Sequence, residues 1–202
     1  MEVGGLRIDY REAGTGEAVA VLDGWRGGLA PLHIGLSQEY RSIALDLDRK
    51  VDSAKMFAGE MAVAVGGMVE GNYTLVGSSR AADVAAWMAV HAGERLDALV
   101  LLSPLAIRPR MVDATHDEEL EGRLGDIPCP TLVVFGTDDR LVSRDAARVY
   151  AERIPNVNLS LVYDAGHVIS SDRADALNRL VVDYVERRDT FVVGRGGSSG
   201  TP

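Results

Sequence analysis

The sequence has little of several features that mark particular classes of protein. Its 202 residues include one cysteine, Cys129, which excludes an internal disulfide and any metal site built from several thiolates. Because Cys129 stands between two prolines at the start of an apolar run, we expect it to pack as a small hydrophobic residue. No apolar run approaches the roughly 20 residues of a membrane-spanning helix. The first residues lack the basic and apolar regions of a signal peptide, so we expect a cytoplasmic protein.

Positive charge is also scarce. Lys and Arg total 21 against 30 Asp and Glu, which gives a net charge of −9. Such a charge opposes binding to a phosphate backbone or an anionic membrane surface, so neither nucleic acid nor a membrane is an expected partner. The length predicts one domain over residues 1–190, whereas residues 191–202 have too little apolar content to fold and are expected to form a flexible tail. Composition leaves the oligomeric state open.

The apolar residues fall into a pattern that predicts alternating strands and helices. Continuous apolar runs, which suit a parallel sheet covered on both faces, occupy 43–45, 74–76, 98–102 and 131–135, with a weaker run at 158–163. Helical spacing of apolar residues predicts amphipathic helices over 57–68 and 174–185. The segment 81–90 is apolar on every side except at Asp83, so we expect a mostly buried helix.

This alternation predicts an α/β fold in which helices cover both faces of a mostly parallel β-sheet. The N-terminal part differs from the rest. Residues 6–10 alternate in strand fashion, 13–16 make a turn, and 18–22 form a second strand. The pattern predicts an N-terminal antiparallel hairpin.

A tight turn follows the apolar run that ends at Val76. Residues 77–81 are Gly-Ser-Ser-Arg-Ala, and an alanine-rich helix comes next, so strand, turn and helix together resemble a nucleophile elbow with Ser79 at its tip. The backbone at such a tip is forced into a sparsely allowed conformation, and the residues two before and two after it must be small. Gly77 and Ala81 meet this requirement. Centring the turn on Ser78 instead would put Val76 at a position that needs a small residue.

A serine needs a base and an acid to become a good nucleophile, and after an elbow of this kind they follow in the chain order Ser, Asp, His. The apolar run at 131–135 leads into Gly136 and an acidic turn that contains Asp138 and Asp139. The final strand leads directly into the Ala-Gly-His loop that ends at His167. Both expected partners are therefore present in the expected order.

With these residues the chain resembles the α/β-hydrolase fold superfamily, over nearly everything from residue 6 to about 188. The resemblance includes the opening segment 8–16, the acid turn in which Asp139 follows Gly136 by three residues, and the loop at 165–167. It implies an α/β-hydrolase fold, and we expect neither a cofactor nor a metal. The family's acid lies three residues after the glycine, which favours Asp139 over Asp138.

The resemblance also implies a role for each residue. Ser79 would attack an acyl carbon, His167 would accept its proton, and Asp139 would fix the imidazole tautomer and stabilise its charged form. Two backbone N–H groups would form the oxyanion hole, and the resemblance assigns them to Arg80 and Trp25.

Two loops depart from the family's pattern. Asp23 stands where the oxyanion loop usually has a histidine, and a carboxylate there would repel a forming oxyanion unless Arg26 or Arg80 paired with it. The alternative is that Asp23 faces away and only shapes the loop. The segment 46–50 lacks the usual Arg-Gly-x-Gly continuation after its aspartate, so this loop is expected to be rebuilt.

The region in which relatives insert a helical cap is short. Residues 107–126 have room for one acidic helix, around 115–124, so we expect an open pocket for a small-molecule acyl substrate. The candidates for its lining are Asp23, Trp25, Leu105 and Ile107. The sequence thus predicts a serine hydrolase that cleaves a carboxylic ester or thioester through an acyl-enzyme. The alternatives are a non-hydrolytic ligand- or partner-binding protein, and a lyase or carbon–carbon bond hydrolase that uses the same residues.

Three other histidines, His33, His91 and His116, do not lie in a loop like the one that contains His167. None of them stands at metal-ligand spacing from a second histidine with a carboxylate nearby, so we expect them to be surface or structural residues.

Overall fold

The computed structural model describes residues 2–3, 6–23, 30–46, 53–111 and 114–191. A seven-stranded sheet organises these residues, with strands in the order β3-β5-β4-β6-β7-β8-β9, and β1 and β2 form a separate antiparallel pair. The strands are β1 (Glu2–Val3), β2 (Leu6–Arg7), β3 (Asp9–Ala13), β4 (Ala18–Asp23), β5 (Arg41–Asp46), β6 (Tyr73–Ser78), β7 (Leu96–Leu102), β8 (Thr131–Gly136) and β9 (Val157–Val162). From β5 to β9 every neighbouring pair is parallel, which confirms the predicted sheet.

The pairing of the first long strand differs from the predicted hairpin. β3 is antiparallel, but its partner is β5, with Ala13 opposite Ser42, and β4 lies on the far side of β5. The prediction that 6–10 pairs with 18–22 is therefore wrong. The physical reason is burial: residues 19–22 are apolar and fully buried between two parallel neighbours, whereas β3 is largely exposed and polar, which suits the edge of the sheet.

Helices cover both faces of the sheet, as predicted. They are α1 (Ala30–Leu36), α2 (Ala54–Met68), α3 (Arg80–Ala92), α4 (Glu118–Arg123), α5 (Arg144–Arg153), α6 (Ile169–Asp172) and α7 (Ala174–Arg187). One core cluster joins the sheet to α2, α3, α4 and α5, and a second joins its other face to α1, α6 and α7. None of the helices in the described ranges is both long and apolar enough to pass through a bilayer.

Two of the helices, α3 and α4, have the burial and the position that the sequence pattern predicts. α3 is buried almost throughout its length, and Trp87 within it is fully buried. α4 lies inside the range predicted for a short acidic helix, and Asp117 caps it by accepting the Leu120 N–H at 2.9 Å. Phe191 packs edge-on against Tyr184, and the rest of the predicted tail, 192–202, lies outside the described residues.

Candidate active site

Ser79 occupies the turn between β6 and α3, as the sequence predicts. Its φ is +56°, in the left-handed region that non-glycine residues rarely adopt. Gly77 is required here, because a Cβ atom at that position would lie 2.6 Å from the Ala81 carbonyl oxygen and 2.7 Å from the Ala82 Cα. The Ser79 N–H donates to the Leu102 carbonyl at 2.8 Å, which ties the turn to the end of β7.

The structure brings His167 and Asp139 to Ser79. His167 Nε2 lies 2.9 Å from Ser79 Oγ, and His167 Nδ1 lies 2.9 Å from Asp139 Oδ2. The side chains of His167 and Asp139 are only 7% and 4% exposed, so water competes little for these hydrogen bonds. With Nδ1 protonated and donating to the carboxylate, Nε2 is left as the acceptor for the serine hydroxyl.

Asp139 is held by the turn that follows β8. Its Oδ1 accepts the N–H groups of Leu141 at 2.8 Å and Val142 at 3.2 Å, which leaves Oδ2 for His167. Burial raises the pKa of Asp139, but the hydrogen bond and charge of His167 and the two N–H donors outweigh it and hold the pKa below its ordinary value. Asp139 is therefore ionised at neutral pH. Asp138 is exposed and makes no comparable contact with the imidazole.

Gly136 allows the histidine loop to come close to the end of β8. A Cβ atom at this position would lie 2.2 Å from the carbonyl oxygen of Ala165 and 2.3 Å from that of Gly166. The loop is also fixed by Asp172, whose Oδ2 accepts the Gly166 N–H at 2.8 Å. The sequence pattern marked Gly136 as part of the acid turn, and its role as the point of contact with the loop at 165–167 is visible only in the structure.

A polar cavity of about 320 Å³ lies beside the turn, with Lys55, Arg80, Asp83, Ala106, Thr115 and Asp117 among its lining residues. Leu105 and Ile107, two of the predicted lining residues, are instead buried in the core cluster that contains α3, and Ala106 between them faces the cavity. Trp25 lies outside the described residues. Asp23 ends β4, in register with Asp46, and its side chain also lies outside the described part.

Asp83, in the first turn of α3, lines the cavity beside the Ser79 turn, although no motif in the sequence marks it as a site residue. It is 7% exposed, and its Oδ1 accepts the N–H groups of Leu105 at 2.9 Å and Ala106 at 2.8 Å. Burial raises its pKa to about 7, although the two N–H donors and Arg80 act in the opposite direction. The available signal was that Asp83 is the one charged residue in an otherwise apolar helical segment.

The remaining histidines make structural contacts. His33 Nδ1 lies 2.8 Å from Ser42 Oγ, His91 stacks on Trp87, and His116 Nε2 lies 2.9 Å from Glu121. In the described ranges, no group of three or more His, Cys, Asp or Glu side chains is arranged to hold a metal ion.

Parts of the chain are similar to bacterial hydrolases of known name. A stretch of 63 residues is 41% identical to a 2-hydroxy-6-oxononadienedioate/2-hydroxy-6-oxononatrienedioate hydrolase of Cupriavidus pinatubonensis, and 93 residues are 36% identical to one from Pseudomonas putida. These stretches make up 31% and 46% of this chain. They cover only 22% and 30% of the relatives, so the chain spans less than a third of the curated relatives it matches. No protein-family model matches the chain.

Solved structures resemble the whole fold. A meta-cleavage product hydrolase from Pseudomonas fluorescens superposes with a TM-score of 0.79 over 91% of this chain and 96% of its own, at 17% identity. A carboxylesterase from Bacillus subtilis superposes with a TM-score of 0.75 over 88% of this chain and 87% of its own, at 15% identity. The parallel strands, the helices on both faces and the Ser79 turn agree with the resemblance drawn from the sequence. The chain therefore has the fold of the α/β-hydrolases.

Proposed function

We propose that the chain is a serine hydrolase that cleaves a carboxylic ester or thioester through an acyl-enzyme. The observation that supports this proposal is the continuous hydrogen-bonded series Ser79 Oγ, His167 and Asp139, with both contacts at 2.9 Å. In the first step Ser79 Oγ attacks the carbonyl carbon while His167 Nε2 accepts the hydroxyl proton. Asp139, which is ionised, stabilises the imidazolium that forms.

The second half of the reaction uses the same groups. The imidazolium delivers its proton to the leaving alcohol or thiol, and the neutral His167 then accepts a proton from the water that attacks the acyl-serine. The proton finally returns to Ser79 Oγ, so the enzyme is regenerated. As the first residue of α3, Arg80 has a backbone N–H that the helix itself does not use, which supports its assignment as an oxyanion donor. The second donor, Trp25, stays a prediction.

A carbon–carbon bond hydrolase is the second candidate. The names of the matched relatives favour it, since they are hydrolases of 2-hydroxy-6-oxo dienoic acids. The same three side chains would serve this reaction, because fold and constellation do not fix the bond that is cleaved. Substrate assays must therefore decide between the two reactions.

A fluorophosphonate probe tests the nucleophile. We expect the intact mass of the wild-type protein to increase by one adduct and the Ser79→Ala variant to remain unlabelled. Ser78→Ala is the matched control, because it removes the neighbouring hydroxyl and should leave labelling unchanged. An unlabelled wild-type protein, or undiminished labelling of Ser79→Ala, would overturn the proposal.

Turnover then separates the candidate functions. A panel of p-nitrophenyl esters and one thioester would be compared with 2-hydroxy-6-oxo-6-phenylhexa-2,4-dienoate, each assayed with wild type and Ser79→Ala. Ser79-dependent hydrolysis of the esters supports the leading proposal, and preference for the dienoate supports the second candidate. Labelling without turnover of either class would favour the non-hydrolytic alternative, a ligand- or partner-binding protein.

A further inference from the structure

Asp83 is a buried carboxyl group that the proposed reaction does not use. It lies four residues after Ser79, in the first turn of α3, and is 7% exposed. Burying a carboxyl group is costly unless hydrogen bonds compensate, and an apolar residue would pack in α3 at lower cost. Packing alone therefore does not account for this side chain.

The hydrogen bonds of Asp83 close a ring around the Ser79 turn. On one side, the Ser79 N–H donates to the Leu102 carbonyl at 2.8 Å. On the other, Asp83 Oδ1 accepts the N–H groups of Leu105 and Ala106 at 2.9 and 2.8 Å. The first turn of α3 and the segment after β7 are thus joined at both ends.

Two strained residues lie inside this ring. Ser79 has a φ of +56° and Ser103 a φ of +45°, both in the left-handed region. Backbone in this region persists only where surrounding contacts hold it. The bonds from Asp83 reach neither strained residue directly, but they fix the segment after Ser103 relative to the helix that follows Ser79.

The same bonds set one wall of the cavity beside the Ser79 turn. Asp83 and Ala106 both line this cavity of about 320 Å³, together with Arg80, the residue that follows Ser79. The position of Ala106 relative to Ser79 therefore depends on the Asp83 carboxyl group. Loss of its acceptor oxygen would free this wall to move.

We propose that Asp83 is a positioning residue that holds the segment 104–107 against the Ser79 turn and thereby sets the size of the acyl group that the site accepts. This inference rests on the proposed function. It assigns no contact between Asp83 and the reacting atoms. The effect passes through the backbone of Leu105 and Ala106.

Three variants distinguish a positioning role of Asp83 from a general effect on the stability of the fold. Asp83→Asn keeps an oxygen that can accept both N–H groups, and Asp83→Leu removes the acceptor in a side chain of similar shape. Val181→Ala, in α7 on the opposite face of the sheet, is a control for destabilisation. The measured quantity is the ratio of kcat/KM for p-nitrophenyl octanoate to that for p-nitrophenyl acetate.

We expect Asp83→Leu to change this ratio by about tenfold or more, because a displacement of about 1 Å beside a reacting group can change a rate by up to about 100-fold. Asp83→Asn should keep the wild-type ratio, and Val181→Ala should keep it even if the protein is less stable. An unchanged ratio in Asp83→Leu would overturn the proposal and leave Asp83 a structural residue.

A measurement that does not require catalytic turnover distinguishes failure of this proposal from failure of the proposed function. Amide exchange at Leu105 and Ala106, and the NMR resonance of the His167 Nδ1 proton, should both change in Asp83→Leu and not in Asp83→Asn. If the wild-type protein is neither labelled nor active, the proposed function fails, and these signals still test the positioning role. Unchanged signals in Asp83→Leu would overturn it. If Asp83→Leu does not fold, Asp83→Ala takes its place in each measurement.

Discussion

Ser79 Oγ and His167 Nε2 lie 2.9 Å apart, although 88 residues separate them in the chain. Their strands, β6 and β9, are parallel members of one sheet and end at the same edge, with β7 and β8 between them. The histidine loop must therefore reach back across two strand ends. It does so over Gly136, where its backbone carbonyls occupy the space that a side chain would fill.

The adjacent carboxylates Asp138 and Asp139 offer a matched pair of variants. Asp139→Asn removes the charge that stabilises the imidazolium of His167 and should lower kcat by about three to four orders of magnitude. Asp138→Asn, at an exposed position, should leave kcat within about twofold of wild type, as surface substitutions usually do. Steady-state assays on a p-nitrophenyl ester measure both. Equal losses in the two variants would contradict the assignment of Asp139.

Gly136→Ala should disrupt the contact on which the histidine loop depends. The added Cβ would lie 2.2 Å from the Ala165 carbonyl oxygen, so the backbone must shift. We expect a loss of about 1–3 kcal/mol in the free energy of unfolding and a large loss of Ser79 labelling.

Gly59→Ala is the control for this variant. Gly59 lies in α2, and its added Cβ would meet no atom within 4 Å. Alanine should therefore raise the free energy of unfolding by up to about 1 kcal/mol. Urea denaturation measures both variants, and a stable, fully labelled Gly136→Ala protein would show that the close approach is dispensable.

Asp83 should make stability depend on pH. Burial raises its pKa from the ordinary 3.8 to about 7; the charge of Arg80 on α3 opposes this rise, and the charge of Asp117 before α4 adds to it. Because the folded state holds the proton more tightly, this group favours folding most when protonated, below about pH 4. Its contribution is lost as pH rises through about 7.

Asp83→Asn removes this titration while keeping the acceptor oxygen. The free energy of unfolding of wild type relative to that of Asp83→Asn should therefore fall between pH 4 and pH 8, by up to about 4 kcal/mol. Urea unfolding across this range measures the difference. Parallel stability curves for the two proteins would contradict the expected burial effect.

Much of the site was predictable because its signals are local. Gly77 is small for a steric reason that acts within five residues, and the structure shows the crowded backbone that requires a glycine there. The position of Asp139, three residues after Gly136, likewise follows from one turn. The lining of the cavity was less predictable, because Ala106 lines it and its neighbours Leu105 and Ile107 do not. Which way each of these side chains points depends on the hydrogen bonds that hold the segment to Asp83.

Strand pairing shows the same difference between what local sequence predicts and what the tertiary structure decides. The polar residues of β3 and the apolar residues of β4 indicate strands, but sequence proximity favoured a hairpin between them, and the structure inserts β5. The sequence by itself determined the alternation of elements and the order Ser79, Asp139, His167, because periodicity and turn chemistry are local properties. Only the tertiary structure decided which strands are neighbours, how Asp83 contacts the segment after β7, and which residues face the cavity, because these depend on burial shared among segments far apart in the chain.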